Sequence, residues 1–313
     1  DYDNDGDIDV FVSNNNQRPH LLRNDGGNRN HWITIKTVGR RSNRDGIGTQ
    51  ISLTAGDLVD ILDTDQPAGF CKVMNFDHLV FDQTFHVTPV DFGYVNINYD
   101  KSYLEENDLQ PPTTLEELTD AKWKGKVVVQ NPATSSPGLA FLIATVSYFG
   151  EDDEYDYLDF WSDLRNNDLV VKDGWSDAYY SDFSLNGGDR PLVVSYATSP
   201  AAEVFFSEGK HSVPPTGNLI IDGATFLHIE GIGILKGTEV EALAKRFVDF
   251  TLDVAFQEDI PAKMFVYPAN SLAKLPDFFQ FAEVPEMYST ISPSVIDQKR
   301  EEWIDAWVRV VLR

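Results

Sequence analysis

WKGKVVVQNPATSSPGLAF, Trp123–Phe141, is the stretch on which the fold turns. Lys126–Gln130 is a short apolar run dominated by valine and reads as a buried strand. Asn131–Gly138 is a polar turn of Asn, Pro, Thr, Ser and Gly. The apolar run Leu139–Phe149 then reads as a helix. Strand, polar loop and helix in succession form the building unit of an α/β protein, with a mostly parallel sheet and helices on its faces. Small hydroxyl residues before a helix leave backbone N–H groups that favour an anion, although an ordinary serine cap has the same appearance.

The same unit recurs outward from this stretch. Leu169–Lys172 reads as a strand followed by Gly174-Trp175-Ser176-Asp177-Ala178-Tyr179-Tyr180, and Leu192–Ser195 as a strand running into Tyr196-Ala197-Thr198-Ser199-Pro200-Ala201. Ligands of open α/β sheets bind beyond the C-terminal ends of strands. The three polar-aromatic segments are therefore expected to converge on one cleft, with packing as the plainer reading of each ring. Thr114–Glu117 and Thr238–Glu241 have the form of capping boxes and predict helix starts, the second followed by Val240, Leu243, Ala244 and Phe247 at helical spacing. A terminal helix from Pro293 places Trp303 one turn from Trp307, and Ile304 in line with Val308 and Val311.

Charge divides the chain. Of its 313 residues, 25 are Lys or Arg and 50 are Asp or Glu, for a net charge of −25. Residues 1–56 hold seven of each sign, so the entire excess lies in residues 57–313. A protein this acidic makes a poor partner for nucleic acid, whose phosphates require a basic surface. The excess is read as keeping the protein soluble. The single cysteine, Cys71, excludes an internal disulfide and a multi-cysteine metal cluster. No apolar run reaches the roughly 18 residues of a membrane span. No nucleophile–base constellation, dinucleotide loop or P-loop stands out, so an enzyme is not expected.

The first residues carry a different signal. Asp1, Asp3, Asp5 and Asp9 alternate around Gly6, a spacing suited to a calcium loop, ahead of the strand-like Val10–Val12. An acidic turn that binds nothing tightly gives the same pattern. Residues 1–56, through the RNDGGN run (Arg23–Asn28) with NHW (Asn30–Trp32), and the SNRDGIG run (Ser42–Gly48), resemble the last FG-GAP/VCBS propeller repeat leading into an UnbV/ASPIC-type segment. That resemblance implies a short β-rich, calcium-binding piece. A single repeat lacks the neighbours on which it would bury its faces, so a remnant is expected, making the chain a fragment or chimera.

Residues 57–313 carry a second resemblance. VTPVDFGYVNINYDK (Val87–Lys101), the Trp123–Phe141 stretch, GWSDAY (Gly174–Tyr179), SYATSPA (Ser195–Ala201), AFQEDIP (Ala255–Pro261) and Tyr267-Pro268 resemble the thiamine-binding periplasmic proteins of ABC importers. The resemblance implies the type II periplasmic-binding-protein fold, with residues 57–95 and 216–313 forming lobe one and residues 96–215 lobe two. The chain enters the family pattern partway, so lobe one is expected to be N-terminally truncated. It further implies an extracytoplasmic protein with no required cofactor. The ligand it implies is thiamine or its phosphates, held as the two lobes close on a hinge and delivered to a membrane permease.

The implied ligand residues are Ser135 and Ser136 for tail oxygens, and Trp175, Tyr196, Ala197, Thr198 and Ser199. Phe265 stands where the family has a late tryptophan, and Ala202 where it has a second aromatic. Asp177 is a candidate partner for the thiazolium charge, and Tyr179 and Tyr267 complete the set. Each ring stacked on the cation would contribute about 0.5–2 kcal/mol. Two alternatives stay open: a ferric-iron protein of the same fold using Tyr179 and Tyr180, and a calcium-binding propeller fragment with no transport role.

Overall fold

The computed structural model describes the strands at 10–12, 20–22, 50–55 and 58–63 by their backbone, and residues 87–289 and 291–313 in full. The proposed calcium ligands Asp1, Asp3, Asp5 and Asp9 lie outside the described residues. Strand β1 (Val10–Val12) pairs antiparallel with β2 (His20–Leu22). Strand β3 (Gln50–Ala55) pairs antiparallel with β4 (Leu58–Asp63), from Gln50↔Asp63 to Ala55↔Leu58. The change of charge at residue 56 therefore falls between two strands of one ladder.

From β5 (Val87–Asp100) onward the chain alternates. There follow α1 (Lys101–Glu106), β6 (Val127–Gln130), α2 (Ser136–Phe149), α3 (Tyr157–Asn166), β7 (Val170–Lys172) and α4 (Trp175–Asp177), which runs on as a π-helical turn, Ala178–Asp182. Next come β8 (Leu192–Tyr196), α5 (Ser199–Phe206), β9 (Thr216–Leu219), β10 (Phe226–Gly233), α6 (Glu241–Leu252), α7 (Val254–Lys263), β11 (Tyr267–Pro268) and α8 (Pro293–Val311). The sheet runs β10-β5-β8-β6-β7, with β9 and β11 also paired to β5. Strand β6 is parallel to both β7 and β8, and β8 is antiparallel to β5. The fold is α/β, as the sequence predicts, but the sheet is mixed where a mostly parallel one was expected, because β5 runs antiparallel to β8 and β9.

The chain forms two compact units. One contains residues 92–228, 261–267 and 275–313. Its core is built on α2, which is apolar on all sides and buries residues from Ala140 through Val146 and Phe149. Phe141 meets Trp161 edge-on at 5.7 Å, Trp161 meets Trp307 at 5.5 Å, and the Trp161 indole N–H donates to Thr145 Oγ1 at 2.9 Å. Helix α8 turns Trp303 and Trp307 inward together, as their spacing predicts, and Val311 is buried with them instead of lining up with Ile304 and Val308. Glu151 accepts from both Lys299 Nζ (2.8 Å) and Trp303 Nε1 (3.0 Å). The sequence expectation grouped residues 216–313 with lobe one. The two tryptophans of α8 instead join the core formed by α2 and α3.

The other unit contains residues 1–91, 229–260 and 268–274. Its described part is tied by two buried amides. Gln257 donates to the carbonyls of Thr251 (2.7 Å) and Val90 (2.9 Å), while its Oε1 accepts from the Asn270 N–H at 2.8 Å. Asn270 Nδ2 in turn reaches the Leu252 carbonyl at 2.8 Å, satisfying a C-terminal group of α6.

Two predicted helix starts come out differently. Thr114–Glu117 leads only to 3-10 turns at Glu116–Thr119 and Ala121–Trp123, because Asp120 between them is extended. Helix α6 begins at Glu241 with Val240 as its cap, later than the Thr238 box. Helix α2 begins earlier than the apolar run, at Ser136.

Removing the Trp307 ring should cost about 3–5 kcal/mol, read as a fall in urea midpoint for Trp307→Ala. Burial pushes the Glu151 carboxyl up, but the bonds from Lys299 and Trp303 outweigh it and hold the group below the usual 4.5. Its stabilisation is therefore complete above pH 4.5 and is lost as pH falls through the lowered value. Glu151→Gln should flatten that part of the acid-unfolding curve.

Candidate functional site

Because β6, β7 and β8 are parallel, the segments that leave them emerge at one edge of the sheet. The Asn131 N–H donates to the Lys172 carbonyl at 2.8 Å, and Thr134 Oγ1 to the Asp173 carbonyl at 2.8 Å, joining the loops after β6 and β7. Helix α2 lies close over the end of β6: a Cβ on Gly138 would come within 2.6 Å of the Gln130 carbonyl oxygen. Ser135 is buried at the N-cap of α2 and Ser136 is exposed in its first turn. Thr198 holds the same place ahead of α5. Neither Ser135 nor Thr198 gives its side chain to capping, and an uncapped first turn favours negative charge.

Alternation along the strands divides the predicted residues between two faces. Leu192, Val194 and Tyr196 face the main core, whereas Val193 and Ser195 face the opposite way, as do Val128 and Gln130 on β6. The α4 turn covers that second face with Trp175, Ala178 and Tyr179. The Trp175 indole N–H donates to Ser195 Oγ at 2.8 Å, and Ser195 Oγ lies 2.9 Å from Ser199 Oγ. Trp175 is half-buried and stacks on Tyr179 at 4.8 Å with 23° between planes. Tyr196 and Tyr180 stand at 6.3 Å and 5.4 Å from the same indole.

Tyr179 is buried beneath this stack and its hydroxyl donates to Glu203 on α5, which also accepts from Thr216 Oγ1 at 2.5 Å. Burial first, and then the Glu203 charge, raise the Tyr179 pKa, so the phenol keeps its proton. Tyr180 is exposed. Asp177 is exposed on the outer side of the turn.

Other predicted residues fall into neighbouring groups. Ala197 is fully buried; its N–H donates to the Tyr94 carbonyl at 2.8 Å and its carbonyl accepts from Asn218 Nδ2 at 3.0 Å. Tyr267 stacks with Phe92 at 5.4 Å and meets Tyr94 and Phe279 edge-on. Burial, and then Tyr288, push the Tyr94 phenol up to about 12. Phe265 packs with Phe205, Phe206 and Phe278 in a further aromatic group. Its φ of 56° is left-handed, a conformation that costs a non-glycine residue about 1–2 kcal/mol.

Sequence reasoning missed a polar row beneath the platform. Asn96 pairs with Ser195 in register, and Gln130 with Lys172. Asn98 Nδ2 donates to Asn218 Oδ1 at 2.6 Å and to the Tyr196 carbonyl at 3.2 Å, and Gln130 Nε2 donates to the Val194 carbonyl at 2.9 Å. Gln130 Oε1 and Asn96 Nδ2 are buried without a hydrogen-bond partner among the described residues. The signal was present in Val95-Asn96-Ile97-Asn98, where alternation puts two amides on one face of a buried strand.

Ser195→Ala removes the acceptor of the indole N–H. About 1–3 kcal/mol of stability should be lost, with a weaker tryptophan band in near-ultraviolet circular dichroism; an unchanged band and urea midpoint would contradict the assigned contact.

A family model described as bacterial extracellular solute-binding protein matches residues 57–287. The thiamine-binding periplasmic protein of Salmonella typhimurium is 32% identical over 225 residues, covering 72% of this chain and 64% of that protein. Its Brucella suis counterpart is 30% identical over 278 residues, covering 84% and 77%. The chain thus spans a little under two thirds of the length of the Salmonella relative. Among solved structures, a periplasmic thiamin binding protein superposes with a TM-score of 0.62 at 29% identity, over 73% of this chain and 67% of that one. Iron-bound HitA from Pseudomonas aeruginosa superposes with a TM-score of 0.59 at 17% identity, over 78% and 74%, a likeness of fold alone. With three-quarters of its length matched by the family model and its sheet laid out as in these two-lobed proteins, the chain belongs to the bacterial extracellular solute-binding proteins.

Proposed function

We propose that this chain is the extracytoplasmic solute-binding component of an ABC importer and that its ligand is thiamine or a thiamine phosphate. The observation that carries this reading is the Trp175 platform set beside the starts of α2 and α5 at one sheet edge. A flat cationic heterocycle suits the ring, and a hydroxyl or phosphate tail suits the uncapped helix starts. The names of the relatives support the same ligand. In this reading Trp175 and Tyr196 stack on the ligand, Ser135, Ser136 and Ser199 approach the tail, and Tyr179 backs the indole. Phe265 and Tyr267 belong to aromatic groups of the same compact unit as Trp175 and are assigned to the site with it. Asp177, exposed on the α4 turn, serves the cation from outside the ring stack. The partner is a membrane permease; no described helix is long and apolar enough to cross a membrane. The chain acts by binding and release, with no required cofactor and no catalytic step.

Ferric iron is the weaker reading. Tyr179 is committed to Glu203 and holds its proton, and no cluster of three or more His, Cys, Asp or Glu among the described residues is arranged to hold a metal. For residues 1–56 the reading is an FG-GAP/VCBS-type repeat with a calcium loop at Asp1, Asp3, Asp5 and Asp9, supported by its sequence pattern.

Isothermal titration with thiamine and its phosphates should give saturable binding that Trp175→Ala weakens at least about tenfold. Absence of heat from thiamine, together with a visible charge-transfer band on adding ferric salt, would reverse the assignment. Calcium should raise the melting temperature, and Asp3→Asn with Asp5→Asn should abolish that rise; a calcium effect that survives both changes would place the ion elsewhere.

A further inference from the structure

We infer that Glu203 is a positioning residue for the binding platform, which fixes the Trp175 ring through Tyr179 and places a negative charge behind it that favours a cationic ligand. The inference rests on the reading of the ligand as a flat organic cation and adds a residue that does not touch it. Two routes join Glu203 to the indole. Trp175 stacks on Tyr179 with 23° between planes, and the Tyr179 hydroxyl donates to Glu203. By the second route, the indole N–H reaches Ser195 and Ser195 meets Ser199, whose hydroxyl also acts on Tyr179. Stacking and hydrogen bonds thus close a circuit of four side chains on Trp175, with Glu203 anchored behind it by Thr216.

The geometry leaves one face of the indole against Tyr179 and turns the other away from it. A stack of this kind attracts a cation through the electron density of its rings. A carboxylate accepting the phenol's hydrogen bond polarises that ring further, and inside the protein the effect is screened less than in water. The Glu203 charge is met by hydrogen bonds from the Thr216 and Tyr179 hydroxyls and by one cation. The charged group that acts on it is Lys101, whose ammonium is hydrogen-bonded to the Pro214 carbonyl at 3.1 Å. Burial raises the Glu203 pKa, the direction expected for a carboxylate held behind the rings. Two roles therefore meet in one side chain, and they are separable. Gln at 203 keeps the shape and a hydrogen-bonding oxygen but removes the charge; Ala removes both.

The experiment compares wild type, Glu203→Gln, Glu203→Ala and Tyr179→Phe in two assays. Without ligand, near-ultraviolet circular dichroism reads the Trp175 band, identified by its loss in Trp175→Phe. Glu203→Ala and Tyr179→Phe should weaken that band and Glu203→Gln should restore most of it. A band unchanged in both Glu203→Ala and Tyr179→Phe would overturn the positioning role. With ligand, calorimetry compares thiamine with its neutral aminopyrimidine alcohol fragment. Glu203→Gln should weaken thiamine binding by about 3- to 10-fold, a share of the cation–π range, and leave the fragment unchanged. Equal affinity in wild type and Glu203→Gln, or an equal loss for both ligands, would overturn the charge role. If wild type binds neither ligand, the thiamine reading and the charge role fail together, while the circular dichroism still decides whether Glu203 holds the ring.

Discussion

The parallel run of β7, β6 and β8 is the constraint on which the rest of the molecule depends. Parallel strands require crossovers, and the crossovers here supply α2 and α3 between β6 and β7, and the α4 turn after β7. Because all three strands end at the same edge, Ser135, Trp175 and Ser199 arrive together although up to 64 residues separate them in sequence. The main core then fixes the edge. Trp161, Trp303 and Trp307 lock α3 and α8 against α2, and the first turn of α2 lies over Gln130 with no space for a side chain at Gly138. Rigid packing on one face of the sheet is what allows a half-buried polar platform on the other.

Much of this arrangement was legible in the sequence, and the reasons are local. The valine runs of β6 and β8, the polar loops after them and the tryptophan stripe of α8 each carry a periodicity that tertiary structure did not override. The convergence of the loops followed from strand direction alone. Membership in the solute-binding family was carried by the ordered motifs between Val87 and Pro268. What failed was decided by atoms outside the local window. The Thr114 box yields to an extended Asp120, and α8 belongs with α2 and α3 because its tryptophans find their cavity there.

The site residues show the same division. Trp175 and Tyr196 were singled out as candidates because rings after strands are conspicuous. Glu203, on the amphipathic helix α5, looked like any helix carboxylate, and only the fold brings it beneath Tyr179. Asn96, Asn98 and Gln130 sit in strands whose neighbours are strongly apolar, so their amides read as interruptions instead of as a row. Buried polar groups gain their meaning from register, which a single strand does not reveal. The acidic excess of residues 57–313 does not by itself define the site; the half-buried Glu203 carboxylate behind the rings is a separate matter of position.

The central claim, that Trp175 and the starts of α2 and α5 form one ligand platform, is tested most directly by a crystal structure with thiamine monophosphate. Density for a heterocycle on the face of Trp175 opposite Tyr179, with phosphate oxygens within hydrogen-bonding distance of the Ser135–Ser136 turn or the Thr198–Ser199 turn, is predicted. A ligand bound elsewhere, with Trp175 still closed over Ser195 and no contact to either helix start, would contradict it.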